Sequence, residues 1–171
     1  MTTEEIKQRN RDLCGRFPFL IPSNRWSGMR ITEAGDGGYW PGEPDQMPEY
    51  DYEYTELDDM PDGWRKAFGE QMCEEIMAEL VAHHLVDSYR ILQIKEKYGE
   101  LRWYDSGFTA YGQKIIDKYS RLSRRTCIRC GAPAARITRG WIMPVCAACD
   151  PKPGVSIPID EYFKQEETDP I

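Results

Sequence analysis

The sequence predicts an α+β protein in which amphipathic helices pack on a β-hairpin or small antiparallel sheet, followed by a C-terminal ribbon around four cysteines. Three observations support this prediction. Apolar residues recur at helical spacing in residues 64–86 and 110–124. Two strand-like runs flank a turn that contains Gly99. Two Cys-x2-Cys pairs lie near the C-terminus.

The chain begins with a predicted short helix from Thr3 to about Leu13, with Thr3 as its N-cap. Residues 16–31 read as an irregular stretch because prolines and glycines interrupt them. We expect the large apolar residues of this stretch in the core: Phe17, Phe19, Leu20, Ile21 and Trp26.

Residues 33–62 form an acidic stretch with eleven Asp and Glu residues and no Lys or Arg. Glycines and prolines exclude a long regular element from its first half. Tyr50, Tyr52 and Tyr54 alternate with acids, which predicts a short strand. Two interpretations stay open. The stretch is either a solvated acidic loop or a surface that imitates a phosphate backbone and occupies a nucleic-acid groove of another protein.

The clearest helix is predicted from Trp64 to about Val86, with Asp62 as its N-cap. Its buried stripe recurs at every fourth residue: Trp64, Phe68, Met72, Ile76 and Leu80, widened by Met77, Val81 and Leu85. A hairpin follows over residues 89–104, in which Gly99 supplies the positive φ of the turn. A second helix over residues 110–124 is expected to bury Tyr111, Ile115, Tyr119 and Leu122.

The cysteine spacing predicts a structural zinc site. Cys127 and Cys130 form one Cys-x2-Cys pair, and Cys146 and Cys149 form the other after fifteen intervening residues. Each pair places two sulfurs on one side of a tight turn, and two such turns complete a tetrahedron around Zn²⁺. Two disulfides or a redox pair are the alternatives, which a reducing compartment disfavours. The remaining cysteines, Cys14 and Cys73, are expected to be buried, inert thiols.

The charge distribution predicts a basic surface. The net charge is −7, yet residues 112–140 contain eight basic residues and one acid, so this segment carries +7 and the rest carries −14. Helical spacing aligns Lys114, Lys118, Arg121 and Arg125 on one face, which favours a nucleic-acid or partner-binding role over a merely solvated face. The complete candidate binding set is Lys114, Lys118, Arg121, Arg124, Arg125, Arg129, Arg136 and Arg139.

Several function classes are disfavoured. No apolar run reaches the ~18 residues of a membrane span, and the N-terminus lacks the apolar core of a secretion signal, which predicts a cytoplasmic protein. The familiar hydrolase, phosphate-loop and dinucleotide motifs do not occur, so a non-enzymatic protein is predicted. The expected organisation is a body over 1–125, a zinc ribbon over 126–150 and an acidic tail over 151–171.

Three segments carry a family resemblance over about residues 10–150: ELDDMPDGWRKAFGEQMCEEI, QIKEKYGELRWY and YSRLSRRTCIRCGAPA with GWIMPVCAACD. The chain resembles small zinc-ribbon proteins encoded by bacteriophages and prophages of gut bacteria. This resemblance implies a phage accessory protein in the bacterial host cytoplasm, with the four ribbon cysteines as ligands of one structural zinc ion. It also suggests similarity to anti-defence proteins, including anti-CRISPR inhibitors that bind an effector nuclease.

The expected function is therefore binding to a host nucleic-acid enzyme, such as a CRISPR effector nuclease, or to its DNA. A plain DNA- or RNA-binding accessory factor is the alternative, and a nuclease with an unrecognised site is a further one. The sequence indicates neither a membrane partner nor a small-molecule substrate.

Overall fold

Helix α1 (Thr3–Arg16) opens the computed structural model, which describes residues 1–24, 28–31 and 50–168. Its N-cap is Thr2 and not the predicted Thr3. The Thr2 hydroxyl accepts a hydrogen bond from the Glu5 amide, while the Glu5 carboxylate accepts one from the Thr2 amide at 2.6 Å. A capping box needs a glutamate or glutamine three residues after the N-cap threonine. Thr2 has Glu5 at that position, and Thr3 has no such residue there.

The chain between α1 and the long helix contributes to the core as predicted. A 3₁₀ turn over Pro18–Leu20 follows α1. Phe17, Phe19 and Leu20 are buried, and Ile21 packs against the same core. The prediction for Trp26 lies outside the described residues, as does the first half of the acidic stretch.

The expected tyrosine strand is not a strand. Residues 50–54 have no regular structure, and Tyr52 has a φ of 63°, which extended backbone cannot adopt. The rings of Tyr50 and Tyr52 pack against one another at a tilt of 45°, with centroids 4.4 Å apart. The buried side chain of Asn10 donates to the Tyr52 carbonyl at 2.7 Å, so a side chain takes the place of a neighbouring strand.

The long helix has three consecutive parts: α2 (Asp62–Trp64), a π-helical segment (Arg65–Gly69) and α3 (Glu70–Ala82). The helix begins at Asp62 itself, with Pro61 as the N-cap. All five residues of the predicted central stripe are buried: Trp64, Phe68, Met72, Ile76 and Leu80. Val81 is exposed, so the stripe is narrower than expected at this end.

The predicted hairpin consists of antiparallel strands β1 (Ile91–Lys97) and β2 (Glu100–Asp105). The turn has only two residues, Tyr98 and Gly99, with φ values of 54° and 75°. Two consecutive positive φ values define the type I′ turn that suits a two-residue hairpin. The prediction of a positive φ at Gly99 is confirmed.

Helix α4 (Ala110–Ser123) is capped by Thr109, whose hydroxyl accepts from the Gly112 amide at 2.8 Å. It packs against α3 and β2. Its buried face is formed by Gly112, Ile115, Ile116, Tyr119 and Ser123. The predictions for Tyr111 and Leu122 were wrong because the buried face is rotated by about one residue from the stripe that the sequence suggested.

The C-terminal part forms a three-stranded sheet and a final helix. Strands β3 (Arg136–Ile137), β4 (Pro144–Val145) and β5 (Ile157–Pro158) pair in the order β4-β3-β5, and α5 (Ile159–Thr168) follows. The Ile159 amide donates to the Ala135 carbonyl at 3.0 Å. Residues that the sequence suggested were an acidic tail therefore complete the ribbon sheet and add a helix.

Candidate metal centre and basic surface

The four ribbon cysteines converge on one point. The sulfurs of Cys127, Cys130, Cys146 and Cys149 all lie within 4.8 Å of one another, and all four thiols are free. The sulfurs of Cys130 and Cys146 are 3.6 Å apart. Four sulfurs tetrahedrally placed ~2.3 Å from a zinc ion are separated from each other by about 3.8 Å, whereas a disulfide bond is about 2.05 Å long. The cluster therefore has the dimensions of a metal site.

Local backbone geometry shapes the first cysteine turn. The Cys127 amide donates to the Ala132 carbonyl at 2.7 Å, and the Gly131 amide donates to the Cys127 carbonyl at 3.0 Å. Gly131 has a φ of +83°, and a Cβ at this position would lie 2.6 Å from the carbonyl oxygen of Gly63. Only glycine satisfies both the left-handed backbone and this close approach.

The second cysteine turn follows directly from β4. The Cys149 amide donates to the Cys146 carbonyl at 3.1 Å, which closes the turn. The Ile128 amide of the first turn donates to the Pro144 carbonyl at 2.9 Å, so a backbone hydrogen bond joins the two turns. The ligand geometry is thus built into the backbone and does not depend on side-chain rotamers alone.

Thiol electrostatics also favour a cation. Burial opposes ionisation of Cys127, but hydrogen bonds from the backbone amides of Cys146, Cys130 and Arg129 outweigh it and lower its pKa to about 6. Hydrogen bonds with Cys130 and Cys146 raise the pKa of the Cys149 thiol to about 12. The Cys127 sulfur is thus prepared to ionise, while the Cys149 thiol resists the accumulation of negative charge. A divalent cation removes that resistance because it favours all four thiolates together.

The metal centre is attached to the body at the start of the long helix. The Gly63 amide donates to the Ile128 carbonyl at 2.9 Å, and the buried indole N–H of Trp64 donates to the Thr126 carbonyl at 2.9 Å. A Cβ on Gly63 would lie 2.5 Å from the carbonyl carbon of Ile128. The first cysteine turn therefore rests directly on helix backbone.

Half of the predicted basic set engages acids or other groups of the same chain. Lys118 donates to the Glu75 carboxylate at 2.7 Å. Arg136 donates to the hydroxyl and the carbonyl of Ser156 at 2.5 Å each, and its Nε lies 3.4 Å from Asp150. Arg136 therefore links β3 to the segment before β5, and its charge stabilises the ribbon through these contacts.

Helix α5 lies beside the two arginines that follow α4. Arg124 pairs with Glu166, and Arg125 pairs with Asp160 at 3.2 Å. Both guanidinium groups also lie over the Phe163 ring, 4.5 Å and 4.6 Å from its centroid. The two arginines thus form ion pairs with two carboxylates and cation–π contacts with one aromatic ring. In nucleic-acid complexes, arginines make the corresponding contacts with phosphates and bases.

The other half of the predicted set differs in that its members have no ion-pair partner among the described residues. Lys114, Arg121, Arg129 and Arg139 have exposed side chains and form no ion pair with any residue in 1–24, 28–31 or 50–168. Arg121 shares an open groove of about 420 Å³ with Arg124 and Arg125. Lys114 lies two helical turns earlier on α4, Arg129 lies in the first cysteine turn, and Arg139 lies in the loop between β3 and β4.

Three acids in the described part of the acidic stretch pair with basic residues of the body. Asp58 pairs with Arg65 and lies 3.4 Å from Arg9. Lys7 lies 3.1 Å from both Asp51 and Glu53. Within the described part of the acidic stretch, these carboxylates therefore join the 3₁₀ turn Glu56–Asp59 and its neighbours to α1 and the π-helical segment.

Sequence reasoning missed one exposed feature of the ribbon. Trp141 lies in the loop between β3 and β4, and its side chain is 70% exposed. Glycine and apolar neighbours surround it in the sequence, which is typical of a core residue. The pairing of β3 with β4 places Trp141 at the tip of the loop that joins these two strands.

Comparison of the chain with protein-family models, curated proteins and solved structures finds no match. In the part of the chain that the structure describes, no helix is both long and apolar enough to cross a membrane.

Proposed function

We propose that one Zn²⁺ ion holds the ribbon and that the protein acts by binding rather than by catalysis. Four thiolates suit zinc better than the harder Mg²⁺ or Ca²⁺, which prefer oxygen ligands. Four cysteines also fill all four positions of a tetrahedral ion, which leaves no position for water or substrate. Such a metal stabilises a fold and carries no chemistry of its own.

The proposed ligand is nucleic acid, free or held by a host enzyme. One observation carries this proposal: four exposed basic side chains within residues 112–140 lack an ion-pair partner among the described residues of a chain whose net charge is −7. In an acidic protein, basic side chains left without acids retain their charge for an external polyanion. Arginine dominates the set, and its guanidinium group can bind a phosphate through two hydrogen bonds.

Charge reversal at Lys114→Glu and Arg121→Glu together is expected to weaken binding to a labelled DNA duplex about tenfold or more. Because each neutralised phosphate releases condensed counterions, the slope of log K against log salt should also fall in magnitude by about 2. Fluorescence anisotropy over a salt series measures both quantities.

The matched control is Lys66→Glu with Lys97→Glu, which changes the net charge equally at exposed lysines outside residues 112–140. This control should retain most of the affinity and the wild-type salt slope. Equal losses in the two double variants would mean that total charge, and not this surface, governs the interaction.

Removing the ion pairs between α5 and the arginines Arg124 and Arg125 is expected to strengthen binding to DNA. In the double variant Asp160→Asn, Glu166→Gln, both carboxylates that pair with Arg124 and Arg125 become neutral, so affinity for the same duplex should rise about three- to tenfold. The control Glu4→Gln, Asp87→Asn adds the same net charge at exposed positions away from α5 and these pairs. An equal gain in the control would remove α5 from the explanation.

A second candidate is an inhibitor that docks on a host nucleic-acid enzyme, such as a CRISPR effector nuclease. The charge of −14 outside residues 112–140 favours it, because such a surface complements a basic nucleic-acid channel. Capture of host proteins from a lysate, with and without nuclease treatment, distinguishes the two candidates. A partner retained after nuclease treatment supports direct docking, whereas a partner lost after treatment was bridged by nucleic acid.

A further inference from the structure

The loop between β3 and β4 exposes a tryptophan beside two basic residues. We propose that this ribbon tip, defined by Arg139, Trp141 and Lys152, binds single-stranded nucleic acid, with an unpaired base on the Trp141 ring and flanking phosphates on Arg139 and Lys152. This inference rests on the proposed function and specifies the form of its ligand.

The tip is held rigidly although its tryptophan faces solvent. Thr138 is buried, its amide donates to the Met143 carbonyl at 3.0 Å, and its hydroxyl accepts from the Met143 amide at 3.0 Å. The same hydroxyl donates to the Trp141 carbonyl. Gly140, with a φ of +84°, reverses the chain between them. A fixed backbone lowers the entropy cost of using Trp141 as a platform.

A groove lies against this tip. It has a volume of about 180 Å³, and its walls include Trp141, Met143, Val155, Arg139 and Lys152. Trp141 and Val155 are largely exposed, so the groove offers apolar surface to a partner. Leaving a tryptophan ring in water forgoes a large burial energy, which is typical of a residue that a partner covers.

The charges around the groove favour a polyanion. Arg139 and Lys152 are exposed, and neither forms an ion pair with a described residue. The one acid in the groove wall, Asp150, has a fully buried side chain that binds Ser156 and Arg136. The accessible charge of this groove is therefore positive and shares its wall with an aromatic ring. A basic groove with an aromatic side chain binds the backbone and stacks the bases of a single strand.

Duplex DNA does not satisfy this site, because its bases are already stacked and paired. The phosphate contacts of Lys114 and Arg121 are available to either form, whereas the Trp141 ring discriminates between them. The tip consequently gives the protein a preference for single strands, and it acts separately from the basic side chains of α4.

The test compares Trp141→Ala with wild type by anisotropy of fluorescein-labelled dT12, rU12 and a 12-base-pair duplex. Trp141→Ala should weaken single-strand binding about tenfold or more and leave duplex binding unchanged, since stacking on an aromatic side chain contributes strongly per base. Trp141→Phe retains a ring and should stay within about threefold of wild type. The dT12 and rU12 arms show whether DNA or RNA is preferred.

Tyr104→Ala is the matched control because Tyr104 is another exposed aromatic residue, located on β2, and its removal should change nothing. Intact duplex binding with unchanged single-strand binding in Trp141→Ala would overturn this inference alone. Failure of the wild-type protein to bind any of the three probes would overturn the proposed function as well. A dimer in light scattering that Trp141→Ala dissolves would assign the tip to a second copy of the chain and also overturn it.

Discussion

Cys146→Ser is expected to abolish stoichiometric zinc binding and to unfold the ribbon. Cys146 supplies one of four sulfurs that lie within 4.8 Å of one another, and serine is a poor ligand for zinc. Structural zinc contributes an apparent binding free energy of about 10–16 kcal/mol in small zinc modules, which a short ribbon core cannot replace. We expect one zinc ion per wild-type chain by elemental analysis and about none in the variant.

The loss should extend beyond the metal. The first cysteine turn contacts the start of the long helix through Gly63 and Trp64, so an unfolded ribbon exposes part of the body core. We expect a lower thermal midpoint in Cys146→Ser and an increase in Trp fluorescence quenching by iodide. Chelator treatment of the wild-type protein should reproduce both changes, and added zinc should reverse them.

Cys14→Ala is the control for this experiment. Cys14 is buried in the body, and burial raises the pKa of its thiol to about 11, so it is neither a ligand nor an easily ionised group. This variant should keep one zinc ion per chain. A wild-type protein without stoichiometric metal, or one whose four ribbon thiols are oxidised in pairs, would contradict the zinc assignment.

Gly63→Ala is expected to destabilise the protein by about 3 kcal/mol or more, the upper end of the usual cost of overpacking. An alanine inside a helix is normally more favourable than glycine by about 1 kcal/mol. Here the added Cβ would clash with the Cys127 carbonyl oxygen and lie 2.5 Å from the Ile128 carbonyl carbon, and both of these backbone groups cannot rotate away. The substitution should therefore push the first cysteine turn off the helix and break the hydrogen bond from the Gly63 amide.

Urea unfolding measures this cost, and Gly15→Ala supplies the matched control. Gly15 lies in α1, and a Cβ added there meets no atom within 4 Å. Gly15→Ala should therefore stabilise the protein by about 0.5–1 kcal/mol. Opposite signs for the two glycines would confirm that contact with the metal turn decides the effect, whereas equal stability in Gly63→Ala would show that the ribbon does not rest on α2.

Much of the fold follows from local pattern. The stripe from Trp64 to Leu80 predicted a buried helix face, and all five of its residues are buried. Gly99 predicted a hairpin turn, and the turn forms there.

Predictions failed where a neighbour outside the local sequence decides the outcome. Tyr52 does not adopt a strand conformation, because Asn10 donates a hydrogen bond to its carbonyl. The buried face of α4 differs from the predicted one, because Ile116 faces the body.

The sequence by itself determined the α+β class, the two main helices, the hairpin and the four cysteines, because periodicity and ligand spacing are properties of neighbouring residues. Only the tertiary structure decided which basic residues form ion pairs, that acids of α5 pair with Arg124 and Arg125, and that Trp141 lies at a tip. These features depend on partners far apart in the chain. Ion pairing and exposure are properties of a folded surface, and no local pattern encodes them.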